Sequence, residues 1–337
     1  METYNPKKIL ITGGAGFIAS NVIVNFIKKY PQVKIVNIDK LDYCSSLKNL
    51  TEIENCNNYK FYPVDITDFH MIDKIFEIEN PDTVMHFAAN THVDNSFGNS
   101  FNFTHNNIYG THVLLEVSKK YNIKRFIHVS TDEVYGEFDD KIVDEKSTLN
   151  PTNPYSASKV GAEFIAKSYY KSFDLPLIIT RGNNVYGPKQ YPEKLIPKFI
   201  IRLNRGLSCP IHGEGLEKRS FIYIDDVVEA FDVILHKGII GEIYNIGTKE
   251  EKTNINVAKE LLKFYNFNEF DKIYFVQNRC FNDQRYTLNT DKLNKLGWSP
   301  KINFKEGLKK TIEWYAKNKN HWDNIEQALV PHPRLNQ

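Results

Sequence analysis

A chain of 337 residues can bury a sizeable core, in one large domain or in two. Its 43 basic and 41 acidic residues leave a net charge of +2, which excludes the basic footprint of a nucleic-acid binder and any acidic tail. No apolar run approaches the roughly 20 residues that a membrane-crossing helix needs. The four cysteines, Cys44, Cys56, Cys209 and Cys280, lack C-x-x-C spacing and read as reduced thiols of a cytoplasmic protein.

The first eight residues run into an apolar strand without a signal-peptide core or cleavage site. The apolar run 8–12 reads as a buried parallel strand. Helical spacing follows over 18–30, then a strand over 34–39 and another over 59–64. A helix over 71–78 leads to a strand over 83–89, and a helix over 108–121 to a strand from Arg125 into Ser130. The segment 157–173 is helical again, and 177–181 is the next strand. Repeated β-α-β units of this kind predict an α/β fold, a Rossmann-type doubly wound parallel sheet with ligands at the carboxyl ends of its strands. After residue 181 the pattern changes: Pro188, Pro192, Pro197 and Pro210 punctuate short elements, as in a smaller C-terminal α/β substrate domain. Strands over 220–224 and 243–247 follow, and one or both are expected to rejoin the main sheet.

The first strand-to-helix turn carries Gly13, Gly16 and Ala19. Gly13 permits a tight turn, and Gly16 lets backbone approach a pyrophosphate seated on the helix N-terminus. Ala19 keeps helix and strand close. Asp39 ends the second strand, 23 residues after Gly16, where a carboxylate accepts from adenosine ribose hydroxyls and repels a 2′-phosphate. NAD is therefore expected rather than NADP, a preference that Lys40 tempers without reversing. Asp65 and Ile66, at the end of the third strand, are expected near the adenine.

Two later segments carry acid and base groups. Ser130-Thr131-Asp132-Glu133-Val134-Tyr135-Gly136 follows a buried strand, and Tyr155-Ser156-Ala157-Ser158-Lys159 opens a helix. Tyr155 and Lys159 stand one turn apart on one helix face. An ammonium there favours tyrosinate, a base for a sugar or alcohol hydroxyl. Thr131 is expected to share a hydrogen bond with the same oxygen. Asp132 and Glu133 form a second acid/base pair that an alcohol dehydrogenase does not need, suited to taking a proton and expelling water. His92 has no second His or Cys at ligand spacing, so no metal site is expected.

At these residues the chain resembles the extended short-chain dehydrogenase/reductase family, and within it the nucleotide-sugar 4,6-dehydratases. The resemblance is carried by Thr12-Gly13-Gly14-Ala15-Gly16-Phe17-Ile18, His92-Val93-Asp94, the Ser130 to Gly136 segment, Tyr155-x-x-x-Lys159 and Pro192-Glu193-Lys194-Leu195-Ile196-Pro197. It covers nearly the whole chain, and the Thr131-Asp132-Glu133 triplet is the part specific to dehydratases. It implies an NAD-binding domain over 1–180, rejoined by part of 220–249, and a nucleotide-sugar-binding domain over 181–330. It also implies cofactor contacts from Gly13, Gly16, Phe17, Ile18, Asp39, Lys40, Leu41, Asp42, Asp65, Ile66, Phe87, Ala88, Ala89, Thr91, Asn106, Tyr155, Lys159 and Val185.

The implied reaction has three steps. Tyr155 deprotonates glucose O4 while NAD⁺ takes the C4 hydride. Glu133 then removes the acidified C5 proton, and Asp132 protonates the C6 hydroxyl so that water leaves. The hydride returns to C6 and a proton to C5, giving a nucleotide 4-keto-6-deoxyglucose with the cofactor still bound. A homodimer formed through helices around 104–121 and 156–173 is also implied.

Further segments resemble the UDP-glucose 4,6-dehydratase domain of plant rhamnose synthases: 39–44, 91–101, 278–286 and the ending Val330-Pro331-His332-Pro333-Arg334. Bacterial dTDP-glucose enzymes carry Tyr where this chain has His212, and Pro-Gly-His where it has Cys280-Phe281-Asn282. The plant pattern has Pro at Cys280. Substrate contacts are implied for Thr91, Thr131, Asn184, Lys194, Leu195, Pro210, Ile211, His212, Arg219, Asn254, Arg279 and Asn282. Lys194, Arg219 and Arg279 also have a direct physical reason, since a diphosphate is anionic. UDP-glucose is the expected substrate, with dTDP-glucose as the alternative. A UDP-sugar 4-epimerase would use Tyr155 and Lys159 but leave Asp132 and Glu133 without a task. A catalytically silent NAD-binding sensor is the reading from a different class.

Overall fold

A computed structural model describes residues 3–137, 142–278 and 287–331. In chain order the strands are β1 Lys8–Thr12, β2 Lys34–Ile38, β3 Tyr59–Tyr62, β4 Thr83–His86, β5 Arg125–Thr131, β6 Leu177–Gly182, β7 Asn184–Tyr186, β8 Cys209–His212, β9 Lys218–Tyr223, β10 Ile243–Ile246, β11 Glu251–Thr253 and β12 Ile273–Val276. Seven of them form one parallel sheet in the order β10-β6-β5-β4-β1-β2-β3. The chain winds outward from β1 to β3, then returns to build β4, β5 and β6 on the other side. The switch between β1 and β4 opens a crevice at their carboxyl ends.

Period-two alternation explains why these strands read as continuous apolar runs. Leu10, Val36, Val84, Phe126 and Ile179 point to one face and pack with Ile72, Phe76, Leu114 and Val117. Ile9, Ile11, Ile35, Met85, Ile127 and Ile178 point to the other and pack with Val22, Phe26, Phe231 and Ile234. That second core continues into Leu261, Trp298 and Leu308 of the later half.

The expectation for the two later strands divides. β10 rejoins the main sheet, parallel to β6 with Tyr244 opposite Thr180. β9 does not: it lies between β7 and β11 in a separate three-stranded sheet. Ile224 opens the helix Ile224–Lys237, which packs on the helix Phe17–Lys29, instead of ending a strand.

Two helices carry the site from the sides. The helix Pro154–Phe173 starts at a capping box: Asn153 Oδ1 accepts from Ser156 N, and Ser156 Oγ accepts from Asn153 N. Pro154 fills the first helical position, where its missing N–H costs nothing. Glu163 of this helix and Arg181 of β6 form a bidentate pair at 3.0 and 2.6 Å, each at most 1 % exposed. The pair ties the helix to the sheet, and truncating one partner would strand the other charge in the core. The second helix begins at Ser100, earlier than periodicity indicated, because the segment Thr104–Tyr109 is a π-turn. One extra residue per turn shifts the apolar pattern and turns Asn106 and Asn107 inward.

Candidate active site

The glycine turn lies against the end of β4. Gly13 has φ +72°, and a Cβ there would sit 2.8 Å from the Ala88 backbone. Gly16 caps the helix Phe17–Lys29 without a side chain, and a Cβ on it would meet only the Gly13 carbonyl, at 3.1 Å. The turn is a bare backbone cradle at a helix N-terminus, which suits an anionic group. Asp39 closes the cradle: its Oδ2 accepts from Ala15 N at 3.0 Å and its Oδ1 from Leu41 N at 2.8 Å. Burial pushes its pKa up, against these hydrogen bonds. Lys40 donates to Asn106 Oδ1 at 3.1 Å and lies 3.4 and 3.5 Å from Asp42 and Asp65. Two carboxylates therefore balance the charge that was expected to temper the effect of Asp39.

The second segment folds as its composition dictates. β5 ends at Thr131, whose Oγ1 accepts from Glu133 N at 3.3 Å and caps the short turn Asp132–Tyr135. Gly136 ends that turn at φ +72°, with the Asn150 carbonyl 2.0 Å from where a Cβ would stand. Asp132 is buried, 2 % exposed. Asn183 Nδ2 donates to its Oδ2 at 2.8 Å, and Thr131 Oγ1 donates to its Oδ1 at 3.2 Å. Burial pushes the Asp132 pKa up to about 6, while Asn183, Thr131 and the Arg219 charge resist. Glu133 Oε2 accepts from Asn153 Nδ2 at 3.2 Å, so one Asn orients this carboxylate and caps the helix that bears Tyr155.

Tyr155 is buried with its ring edge-on to Phe103. Lys159 donates to the Val129 carbonyl at 2.7 Å, and burial pushes its pKa down to about 8. The expected lowering of Tyr155 by Lys159 does not dominate. Burial first, then the charges of Glu133 and Asp132, push the phenol well up, and the Thr131 hydroxyl pulls the other way. The ammonium is committed to a backbone carbonyl, and two carboxylates face the phenol from the adjoining turn.

These groups share one cleft of about 460 Å³. Gly13, Phe17, Ile18, Ile66, Phe87 and Ala89 line its end at the glycine turn, and Thr91, Asn106 and Val185 also line it. Asn184, Lys194, Leu195, Pro210, Ile211, His212, Arg219 and Asn254 line the far side. Among the described candidates, Leu41 alone is not on the wall: it turns out at φ +59°, 40 % exposed. Arg279 and Asn282 lie outside the described residues. Lys194 donates to the Thr91 carbonyl at 2.9 Å, and His212 Nδ1 contacts the Gln277 carbonyl at 3.1 Å.

Sequence reasoning missed two residues that hold the acids, Asn153 and Asn183. Asn153-Pro154 carries a helix-start signal that would have found the first. Asn183 carries no signal of its own, because its role depends on the fold of β6 beside β5.

A doubly wound sheet with a bare glycine cradle at its switch point, and with Tyr155, Lys159 and Thr131 in the same cleft, defines a dehydrogenase-type site of the short-chain class. Residues 10–311 match the family described as GDP-mannose 4,6 dehydratase, and the chain belongs to that family. It is 57 % identical over 339 residues to the trifunctional UDP-glucose 4,6-dehydratase/UDP-4-keto-6-deoxy-D-glucose 3,5-epimerase/UDP-4-keto-L-rhamnose-reductase RHM1 of Arabidopsis thaliana, covering 99 % of this chain and 51 % of that protein. It thus spans about half the length of that relative. It is 51 % identical over 332 residues to the dTDP-D-glucose 4,6-dehydratase of Homo sapiens, covering 97 % of this chain and 95 % of that one. Among solved structures, the dTDP-glucose 4,6-dehydratase DesIV of Streptomyces venezuelae, with NAD and TYD bound, superposes with a TM-score of 0.91. The two are 36 % identical, with 95 % of this chain and 100 % of that one covered.

Proposed function

We propose that this chain is a nucleotide-sugar 4,6-dehydratase that converts UDP-glucose to UDP-4-keto-6-deoxyglucose and water, with NAD held in the cleft. The observation that carries the reading is Asp132: a buried carboxyl held by Asn183 and Thr131, beside Glu133 and in one cleft with Tyr155 and Lys159. Burial pushes its pKa up to about 6, toward the range in which a carboxyl can serve as a general acid near neutral pH.

The cradle fits the cofactor. Gly13 and Gly16 leave room for a pyrophosphate, and Asp39, with Lys40 neutralised beside it, favours a free ribose hydroxyl over a phosphate. NAD, when bound, accepts hydride from sugar C4 and returns it to C6. The chain's own groups move the protons. Tyr155 takes the O4 proton, with Thr131 bonded to the same oxygen. Because the carboxylates push the phenol up, its deprotonation depends on positive charge brought to the cleft. Glu133, steadied by Asn153, removes the C5 proton. Asp132 delivers its proton to the C6 hydroxyl, water leaves, and C5 regains a proton as the hydride reaches C6. Lys194 and Arg219 supply positive charge to the diphosphate side.

UDP is favoured over dTDP because His212 departs from the Tyr of the bacterial dTDP-glucose enzymes, and the 278–286 segment, apart from Cys280, resembles the plant rhamnose-synthase pattern. A side-by-side incubation with UDP-glucose and dTDP-glucose tests the choice. The reading predicts a 4-keto product, absorbing in strong alkali, formed faster from UDP-glucose. UDP-galactose as product would instead indicate an epimerase, and a faster rate on dTDP-glucose would reverse the nucleotide assignment.

Two coarser features belong to the same reading. The protein acts as a homodimer through the helices around 104–121 and 156–173, where Tyr109, Phe164 and Phe173 are 46, 59 and 52 % exposed. Sedimentation at the monomer mass of 39.2 kDa would remove that claim. It works in the cytoplasm, consistent with the free thiols of Cys44, Cys56 and Cys209 and with no described helix being long and apolar enough to cross a membrane.

A further inference from the structure

Asp132 is held from behind by a residue that no motif singles out. Asn183 follows β6 directly and is 4 % exposed. Its backbone N donates to the Ile246 carbonyl at 2.9 Å, which fastens it to the end of β10. Its side-chain oxygen accepts from Thr248 N at 3.1 Å, and its amide nitrogen donates to Asp132 Oδ2 at 2.8 Å. The orientation is not arbitrary. Thr248 N–H can only donate, so the amide oxygen must face it and the NH₂ must face the carboxyl. Gly247 makes the approach possible, since a Cβ there would stand 2.2 Å from Asn183 Oδ1.

The two oxygens of Asp132 therefore differ. Oδ2 faces a group that only donates. Oδ1 faces the Thr131 hydroxyl, which can donate or accept. A proton on the carboxyl belongs on Oδ1, because Oδ2 is already taken by an N–H.

We propose that Asn183 is a positioning residue for water loss, holding Oδ2 of Asp132 so that the transferable proton sits on Oδ1. The inference rests on the dehydratase reading above. It makes the edge strand β10, which returns from the later half of the chain, part of the support for the acid. Among the described residues, the charged or titratable groups that act near Asp132 include Glu133 on its own turn, Tyr155 on the helix Pro154–Phe173, and Arg219 on β9. The described hydrogen bond to Oδ2 is the one from Asn183.

The test uses the full chain loaded with NAD, with UDP-glucose as substrate, in Asn183→Ala and the isosteric Asn183→Asp. Reduced nicotinamide absorbance follows the C4 oxidation, and the 4-keto-6-deoxy product follows water loss. In Asn183→Ala, oxidation should stay within about threefold while water loss slows by about 10–100-fold, so that reduced cofactor accumulates. A general acid works only when protonated, so its rate falls as pH rises through its pKa. Without the Asn183 donor, the charged carboxylate loses support and the alkaline limb of water loss should move to higher pH. In Asn183→Asp a like charge faces Asp132, and the limb should move further the same way. Water loss within about threefold of wild type with an unmoved limb in both variants would overturn the proposal. So would an equal fall of both steps, the mark of a merely structural residue. A wild-type protein that oxidises C4 but never loses water would sink the dehydratase reading, and the inference with it.

Discussion

Asp132→Asn combined with Glu133→Gln is expected to stop water loss while sparing the cofactor and the first oxidation. Both substitutions keep shape and hydrogen bonds. An amide oxygen at position 132 still accepts from Asn183, and one at position 133 still accepts from Asn153. What is lost is proton chemistry. Each acid or base group typically contributes about 10²- to 10⁴-fold, and two groups acting in one step do not add. Product formation should fall by at least about 10³-fold. Oxidation should change by less than about tenfold, so reduced nicotinamide should build up on addition of UDP-glucose. The pH profile carries a second signature. Glu133 and Asp132 both push Tyr155 up, so removing their charges should move the rising limb of oxidation to lower pH. A double variant that forms the 4-keto-6-deoxy sugar at the wild-type rate would refute the roles given to these two residues.

Tyr155→Phe should act on the other step. The phenol is buried, and its ring packs edge-on to Phe103 at 6.3 Å between centroids. Phenylalanine keeps that contact, so folding and cofactor binding should be preserved. The O4 proton then has no base, and oxidation should fall by about 10²- to 10⁴-fold with no build-up of reduced cofactor. A rapid burst of reduced nicotinamide in this variant would show that another group takes the proton. The two variants thus separate in one absorbance trace: accumulation when the acids are removed, silence when the tyrosine is removed.

Local signals in the chain announced much of this site. The apolar run of β1, the Gly13 and Gly16 turn and the carboxylate at Asp39 each follow from short-range rules, because a parallel strand, a tight turn and the carboxylate that closes it need particular residues at fixed spacing. The Tyr155 and Lys159 pair was legible for the same reason, being one turn of one helix. What stayed hidden depends on neighbours distant in sequence. The π-turn Thr104–Tyr109 interrupts a periodicity that assumes a regular helix. Leu41 leaves the cleft wall because its backbone turns at positive φ to satisfy Asp39. Lys159 was expected to act mainly on Tyr155, yet it donates to a carbonyl of β5 that only the folded sheet brings within reach. The apolar patterns of β9 and β10 left open which of them rejoins the main sheet, because pattern does not say which sheet a strand joins. Asn183 looked no different from Asn184, and only the approach of Thr248 and Asp132 from either side separates them.

The most direct test of the central claim follows the fate of a labelled hydrogen. UDP-glucose carrying deuterium at C4 is incubated with the NAD-loaded protein, and the product is read by NMR. The expected product is a 4-keto-6-deoxy sugar with the deuterium on C6, since the hydrogen leaves C4 and returns within one cleft. UDP-galactose with deuterium still at C4, or a 4-keto sugar with no deuterium at C6, would contradict it.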